Sequence, residues 1–345
     1  MKRSYALNIS IPFNEALSAT NQWSDRLHTI FSCACRVGRQ LDFRVNSRIA
    51  KGYQHGISAV LVMCTVPVTI KAISADPWVI GVSRLTVGSL LILCLMPSSR
   101  QVLKLGRRDL ITLGSLGLFF ALHWLTYFFS IKLGTATMAV VATISFYGIF
   151  NSILGAVFLG YAFRWFHSVG LLICFVGTFL TVDEFAYGSD ALLGFGAGVL
   201  SGFFFALLPT IHQKSKHLDS NLRTFGQMLG ALICFLFVIP LGEWSLSPID
   251  WLGLLYLGSV GTVLAHTLWV HATTELPTTA ASIVNYLYIP SAAILSYFAL
   301  GEALTPMQVT GALVIIAGSL IGVFGDKFFL KNRLRKPDEP CRKNA

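Results

Sequence analysis

After residue 55 the chain is a succession of long apolar runs separated by short polar links. Ten runs can be read: 56–74, 78–97, 109–130, 135–157, 165–182, 191–211, 222–241, 251–271, 278–300 and 306–325. A helix rises about 1.5 Å per residue, so about 20 apolar residues cross the hydrocarbon core of a bilayer. The runs are apolar on every face and lack the period-two alternation of barrel strands. They predict an all-α polytopic membrane protein of ten transmembrane helices, with short links that make sequence neighbours antiparallel.

Composition agrees, with 54% hydrophobic and 12% charged residues against about 25% charged in a soluble domain. The net charge of +10 invites a nucleic-acid reading, but its placement argues for topology instead. With the N-terminus inside, 23 of the 26 Lys and Arg residues fall in the N-terminal segment, the even-numbered links and the tail. The odd-numbered links carry Asp183, Glu184, Asp190, Glu243 and Asp250 instead. Cytoplasmic loops collect Lys and Arg. The expectation is a multi-pass protein of the plasma (inner) membrane with both termini cytoplasmic, whose basic surface meets anionic lipid and no nucleic acid. Cys64, Cys94, Cys174 and Cys234 lie within spans and are expected to pack as small apolar residues. The Cys33-x-Cys35 pair is a weak metal signal with no supporting ligands, and no disulfide framework is implied. Residues 1–55 read as a cytoplasmic extension, disordered or lying on the membrane surface, and 326–345 as a basic cytoplasmic tail.

The chain repeats itself. LGYAFRWFHSVGLLICFVG from Leu159 aligns with LGEALTPMQVTGALVIIAG from Leu300 at an offset of 141, placing Gly160, Gly170 and Gly177 on Gly301, Gly311 and Gly318. The same offset pairs Thr137 with Thr278, Tyr147 with Tyr288, Gly117 with Gly258 and Asp109 with Asp250. Pro67 pairs with Pro209 at an offset of 142; Pro97 with Pro240 and His123 with His266 do so at 143. The repeats span 56–182 and 191–325, five spans each. Five is odd, so the second enters the membrane from the opposite side. Inverted repeats can exchange conformations and expose a midplane site to each side in turn, as transporters do.

The ending LGEALTPMQVTGALVIIAGSLIGVF and the preceding ELPTTAASIVNYLYIPSAAILSYFALGE resemble the last two spans of EamA-type transporters of the drug/metabolite transporter superfamily. The resemblance covers about residues 56–325. It implies ten spans in two inverted repeats, cytoplasmic termini, and export or exchange of small metabolites such as amino acids through a central cavity. Two departures bear on substrate identity. The first span reads VMCTVPVTIKA where many members have Trp-Gly, and Tyr161 stands where the second repeat has Glu302.

Arg84 is the foremost candidate site residue. An arginine inside a span costs about 2.5–3.5 kcal/mol unless it faces water or a partner. Its planar fork suits a substrate carboxylate, while snorkelling to headgroups or to Asp76 is the plain alternative. An Arg in this span, and Lys71 at the end of the first, also match family positions. Lys71 and Lys132 both stand at helix ends, where long side chains commonly snorkel. His123 and His266, with Trp124, Tyr127 and Trp269 beside them, suit a proton-coupled step or hydrogen-bonded packing. Tyr147, Asn151, Asn285, Tyr286 and Tyr288 supply aromatic walls and polar groups for a small organic substrate, or interhelical hydrogen bonds. Pro67, Pro209 and Pro290 read as cavity-lining breaks or inert kinks, Gly194, Gly198 and Gly202 as helix-packing residues, and Glu302 as a cap near Thr305.

The expectation is therefore a secondary transporter that exports small polar or amphipathic metabolites by alternating access, with no cofactor and no metal. No P-loop is present, so a gradient supplies the energy. The alternatives are a membrane-embedded lipid-modifying enzyme, which needs clustered carboxylates or histidines at one leaflet where the spans hold almost no carboxylates, and a non-transporting sensor or assembly subunit. A homodimeric working unit stays open.

Overall fold

The computed structural model describes residues 47–134, 136–181, 189–301 and 303–335. The Cys33–Cys35 pair, the link carrying Asp183 and Glu184, the side chain of Thr137, and Glu302 lie outside the described residues. Among the described residues there is no strand; a 3-10 helix, Pro97–Lys104, lies in the link between the second and third spans, and ten helices form the spans. They are α1 (Ser47–Ala72), α2 (Pro77–Leu95), α3 (Arg107–Leu133), α4 (Ala136–Leu159) and α5 (Trp165–Leu180), followed by α6 (Ser189–Lys214), α7 (Ser220–Leu241), α8 (Pro248–Glu275), α9 (Thr278–Leu300) and α10 (Pro306–Arg335). Nine of these described helices are long and apolar enough to cross a membrane, and α5 is apolar with 16 residues. Helix α1 starts ahead of its apolar run. Tertiary contact accounts for the extension, since Gly52 lies against Leu276 and Tyr53 is buried.

The ends of the helices carry the predicted asymmetry of charge. One end, here the basic end, holds Arg107, Arg108 and Lys214; the other, the acidic end, holds Asp76, Glu243 and Asp250. Large apolar side chains such as Leu61, Leu172, Leu192, Leu255, Phe298 and Leu313 cover the outside, a surface suited to lipid. Cys94 is on this outer surface, so the expectation that it packs internally does not hold; Cys64 and Cys174 are buried and Cys234 is intermediate.

Within the compact unit Ile49–Phe329, the two repeats interlock around an approximate two-fold axis. Helix α3 packs on α7 as its repeat mate α8 packs on α2, and α4 packs on α6 as α9 packs on α1. The glycines read from the repeat show the symmetry at atomic scale. Helices α5 and α10 cross where a side chain at Gly170 would meet Gly318 O, and one at Gly177 would meet Gly311 O. Each glycine thus faces the mate of the other, as antiparallel copies require. Local chemistry repeats too. Asp76 caps α2 through Trp78 N and Val79 N, and Asp219, 143 residues on, caps α7 through Asn221 N and Leu222 N. Gly160 and Gly301 end α4 and α9 with φ of 70° and 69°, a left-handed turn that glycine adopts without the Cβ penalty.

The predicted breaks are unequal. Helix α1 loosens at Cys64, before Pro67, and α9 at Leu287, before Pro290, whereas α6 runs unbroken through Pro209. The start of α10 is capped reciprocally by Thr305 and Gln308, a capping box.

Candidate functional site

Arg84 lies seven residues into α2, about 10 Å below its first turn. The side chain turns inward and is 8% exposed. Asp76 does not hold it. That carboxylate is spent on Trp78 N, Val79 N and, at 2.6 Å, Glu243 N. The guanidinium instead donates from Nε to Thr262 Oγ1 at 2.9 Å and from Nη2 to Gly261 O at 3.2 Å, and its plane lies over Trp124, 4.5 Å from the ring centroid. A cation over an indole face is electrostatically favourable. Both Nη1 hydrogens and the second Nη2 hydrogen have no protein acceptor, and no carboxylate pairs with Arg84, among the described residues.

The acceptors come from an irregular turn. Ser259–Leu264 of α8 is π-helical, and Thr262 Oγ1 donates five residues back to Leu257 O at 2.7 Å. A π-turn widens the hydrogen-bond ladder by one residue and frees a carbonyl from its usual partner. Here Ala265 N, the α-helical partner of Gly261 O, bonds Val260 O and Thr262 O instead, and Gly261 O accepts from Arg84 in the middle of a span.

Around Arg84 the structure gathers five more of the predicted residues. Trp124 holds the guanidinium face, and Tyr127, Tyr288, His123 and His266 lie within electrostatic reach of the charge. His123 Nδ1 is 2.8 Å from Ser201 Oγ and 3.2 Å from Ser201 O. A carbonyl only accepts, and Ser201 Oγ already donates to His123 O, so Nδ1 carries a proton and donates. Phe120 sits between His123, Trp124 and His266, with centroids 6.1, 4.9 and 5.0 Å away. His266 makes no hydrogen bond among the described residues. The repeat explains the difference, because the residue equivalent to Ser201 at the offset of Pro67 and Pro209 is Ala59.

Phe205 carries the group outward. It stacks on His123 at 4.6 Å and packs at a tilt against Tyr147, also at 4.6 Å. Asn151 then donates through Nδ2 to Tyr147 OH, Thr278 O and Ser282 Oγ, tying α4 to α9. Trp269 and Asn285 are buried, and Trp269 Nε1 and Asn285 Nδ2 have no hydrogen-bond partner among the described residues. Tyr286 is buried and donates to Ser145 O, a packing role. Lys71 stands exposed in the last turn of α1 and Lys132 in that of α3. An apolar groove of about 270 Å³ opens between α2, α8 and the α7–α8 link, lined by Val82, Val87, Trp244 and Leu254 among others; none of the predicted site residues lines it.

Several polar residues escaped the reading of the sequence. Thr262, Gly261, Ser201 and Phe205 look like ordinary span residues, and only the fold brings them to Arg84 and His123. Arg223 counts as a link cation by position, yet it is 1% exposed. It donates to Leu218 O, His212 O, Thr274 Oγ1 and Ser220 Oγ. With His212 bonded to Gln227, and Tyr161 bonded to Gln213, which reaches Thr273 O and Leu276 O, it knits the basic ends of α6, α7 and α8 to the α4–α5 link. One signal was available: Gln227 is the mate of Arg84 at the offset that pairs His123 with His266.

The sequence profile of the EamA-like transporter family matches residues 50–183 and 192–324, one match per repeat. The chain belongs to the EamA-like transporter family. An S-adenosylmethionine uptake transporter of Rickettsia bellii (strain RML369-C) is 28% identical over 239 residues, covering 68% of this chain and 79% of the relative. An uncharacterized transporter of Archaeoglobus fulgidus is 26% identical over 269 residues, 77% of this chain and 93% of the relative. A solved crystal structure, 17% identical, superposes with a TM-score of 0.71 over 81% of this chain and 99% of its own. That likeness shows the fold alone. The EamA-like chain is thus a multi-pass membrane protein of a transporter family, built of two repeats.

Proposed function

We propose that this EamA-like protein is a secondary transporter of small metabolites that carry a carboxylate and an extended or flat apolar part, of the amino-acid type. It works by alternating access, from a plasma membrane with both termini and the basic end on the cytoplasmic side. One observation carries the reading: Arg84 is buried at the membrane interior with N–H donors unspent and no carboxylate beside it among the described residues. A buried cation left without an anion is costly, and a substrate carboxylate would supply the missing charge through a charge-assisted bond. The aromatic group of Trp124, Tyr127, His123, Phe205 and Tyr147 offers faces for the remainder of the substrate. The relatives named S-adenosylmethionine uptake transporter act on such a molecule, an amino acid joined to a flat base. Their names give uptake, whereas the family resemblance implies export; exchange satisfies both and needs no second energy source.

Counterflow in proteoliposomes tests this with labelled S-adenosylmethionine, L-methionine and L-glutamate as probes. Saturable exchange of a carboxylate probe, lost in Arg84→Gln while membrane insertion is intact, is the expected outcome. Equal flux in Arg84→Gln overturns the site, and lipid turnover without flux of any probe favours an enzyme.

A further inference from the structure

The side-on edge of the Arg84 guanidinium, Nε with Nη2, is one of the two edges that can grip a carboxylate in bidentate fashion, the end-on Nη1–Nη2 edge being the other. In this structure the side-on edge is filled. Thr262 Oγ1 and Gly261 O, from adjacent residues, stand at 2.9 and 3.2 Å from Nε and Nη2. Two neutral oxygens therefore occupy the places of two carboxylate oxygens, while the donors on the other edge are unspent. Both oxygens belong to the π-helical stretch of α8. In a regular α-helix Gly261 O would also accept from the amide of Ala265, which here bonds Val260 O and Thr262 O instead.

We propose that Thr262 and Gly261 are an internal stand-in for the substrate carboxylate, and that Thr262 is a positioning residue which couples occupancy of the site to the shape of α8. This rests on the proposed reading of Arg84 as the anion-binding residue. In the empty state the π-turn shields the guanidinium and keeps it oriented. An arriving carboxylate first meets the unspent Nη1 donors, then takes over the Nε–Nη2 edge, releases both oxygens and lets α8 rewind. On departure of the substrate the hydroxyl recaptures the guanidinium, so the cation is never bare in the membrane. The stand-in lowers affinity and speeds release. It is neutral, so it competes with an anion without being able to replace one.

The test is Thr262→Val, which keeps the shape and loses the acceptor, beside Thr262→Ser, which keeps the hydroxyl. A hydrogen bond to a charged group shifts an equilibrium by roughly tenfold or more. In counterflow with labelled S-adenosylmethionine and L-methionine, Thr262→Val is expected to lower KM several-fold and to lower the maximal rate with it, while Thr262→Ser matches the wild type in both. A second readout needs no transport. Phenylglyoxal modification of Arg84 in the full-length purified chain, followed by peptide mass spectrometry, is expected to be several-fold faster in Thr262→Val and unchanged in Thr262→Ser. An unchanged modification rate in Thr262→Val, or a maximal rate that falls with KM unchanged or raised, overturns the stand-in and leaves Thr262 a packing residue. Failure of the transport reading is seen separately, as wild-type flux in Arg84→Gln whatever Thr262 does.

Discussion

At the scale of the residue, the site depends on geometry that charge alone does not supply. Arg84 presents a flat face to Trp124 and a forked edge to Gly261 and Thr262. A lysine in its place keeps the charge and loses both, because an ammonium is a point donor on a flexible stem. Arg84→Lys should therefore insert normally but raise KM for a carboxylate probe by about tenfold or more, the size of one charge-assisted bond; counterflow kinetics at fixed protein density measure it. A KM within twofold of wild type would mean that any cation serves at this depth. Sequence inspection finds Arg84 easily, since a permanent cation in an apolar run is conspicuous. It cannot find Thr262 or Ser201. Hydroxyls are common in spans, where they return their hydrogen bond to the preceding turn, and Thr126, Thr178 and Thr273 do so here. What separates Thr262 from these is a partner 178 residues away. Arg223 was misplaced for the opposite reason: a cation near a link counts as a loop charge until tertiary contacts bury it.

At the scale of the element, glycine spacing decides how closely the apolar helices approach. Helix α3 offers a controlled comparison. A Cβ at Gly117 would lie 2.4 Å from Gly230 Cα, against backbone that cannot step aside, whereas one at Gly114, less than a turn away, meets nothing within 4 Å. Gly117→Ala should destabilise the detergent-solubilised protein by about 1–3 kcal/mol, the cost of overpacking. Gly114→Ala should stabilise it by up to about 1 kcal/mol through helix propensity. Thermal unfolding of the two variants, read by scanning fluorimetry, should show shifts of opposite sign; a Gly117→Ala protein as stable as wild type would show that α3 and α7 do not meet this closely. The spans themselves were legible because apolar length is a physical requirement of the bilayer, and most helix borders fall close to the runs, though α1 starts nine residues early and α10 runs on to Arg335. The π-turn and the unequal breaks at Cys64 and Leu287 were not. They answer to neighbours on other helices, and a run of apolar letters contains no record of which neighbour that is.

At the scale of the whole molecule, the inverted repeat builds equivalent fastenings at opposite ends. Asp250, at the start of α8, accepts from Ser74 N at 2.7 Å in the α1–α2 link. Its mate Asp109, at the start of α3, meets His217 Nε2 at 2.9 Å in the α6–α7 link, and His217 and Ser74 are themselves equivalent at the offset of 143. Each repeat thus fastens its third helix to the first link of the other, once at the acidic end and once at the basic end. Both fastenings are closed here, in keeping with the burial of Arg84, Trp124 and Tyr147 between them. Two equivalent states of opposite polarity require that the ends open in alternation, so loosening one fastening should bias the population toward the state open at that end. Cys64, a buried native thiol of α1, is expected to become reachable when either end opens. Asp250→Ala should speed its labelling by an impermeant maleimide added from the acidic side, and Asp109→Ala from the basic side, each by several-fold in sealed vesicles of known orientation. Because the two aspartates are related by the repeat, the informative result is the reversal of sidedness between them. Labelling that rises from the same side in both variants would mean that the symmetry of the fold is not a symmetry of its motion.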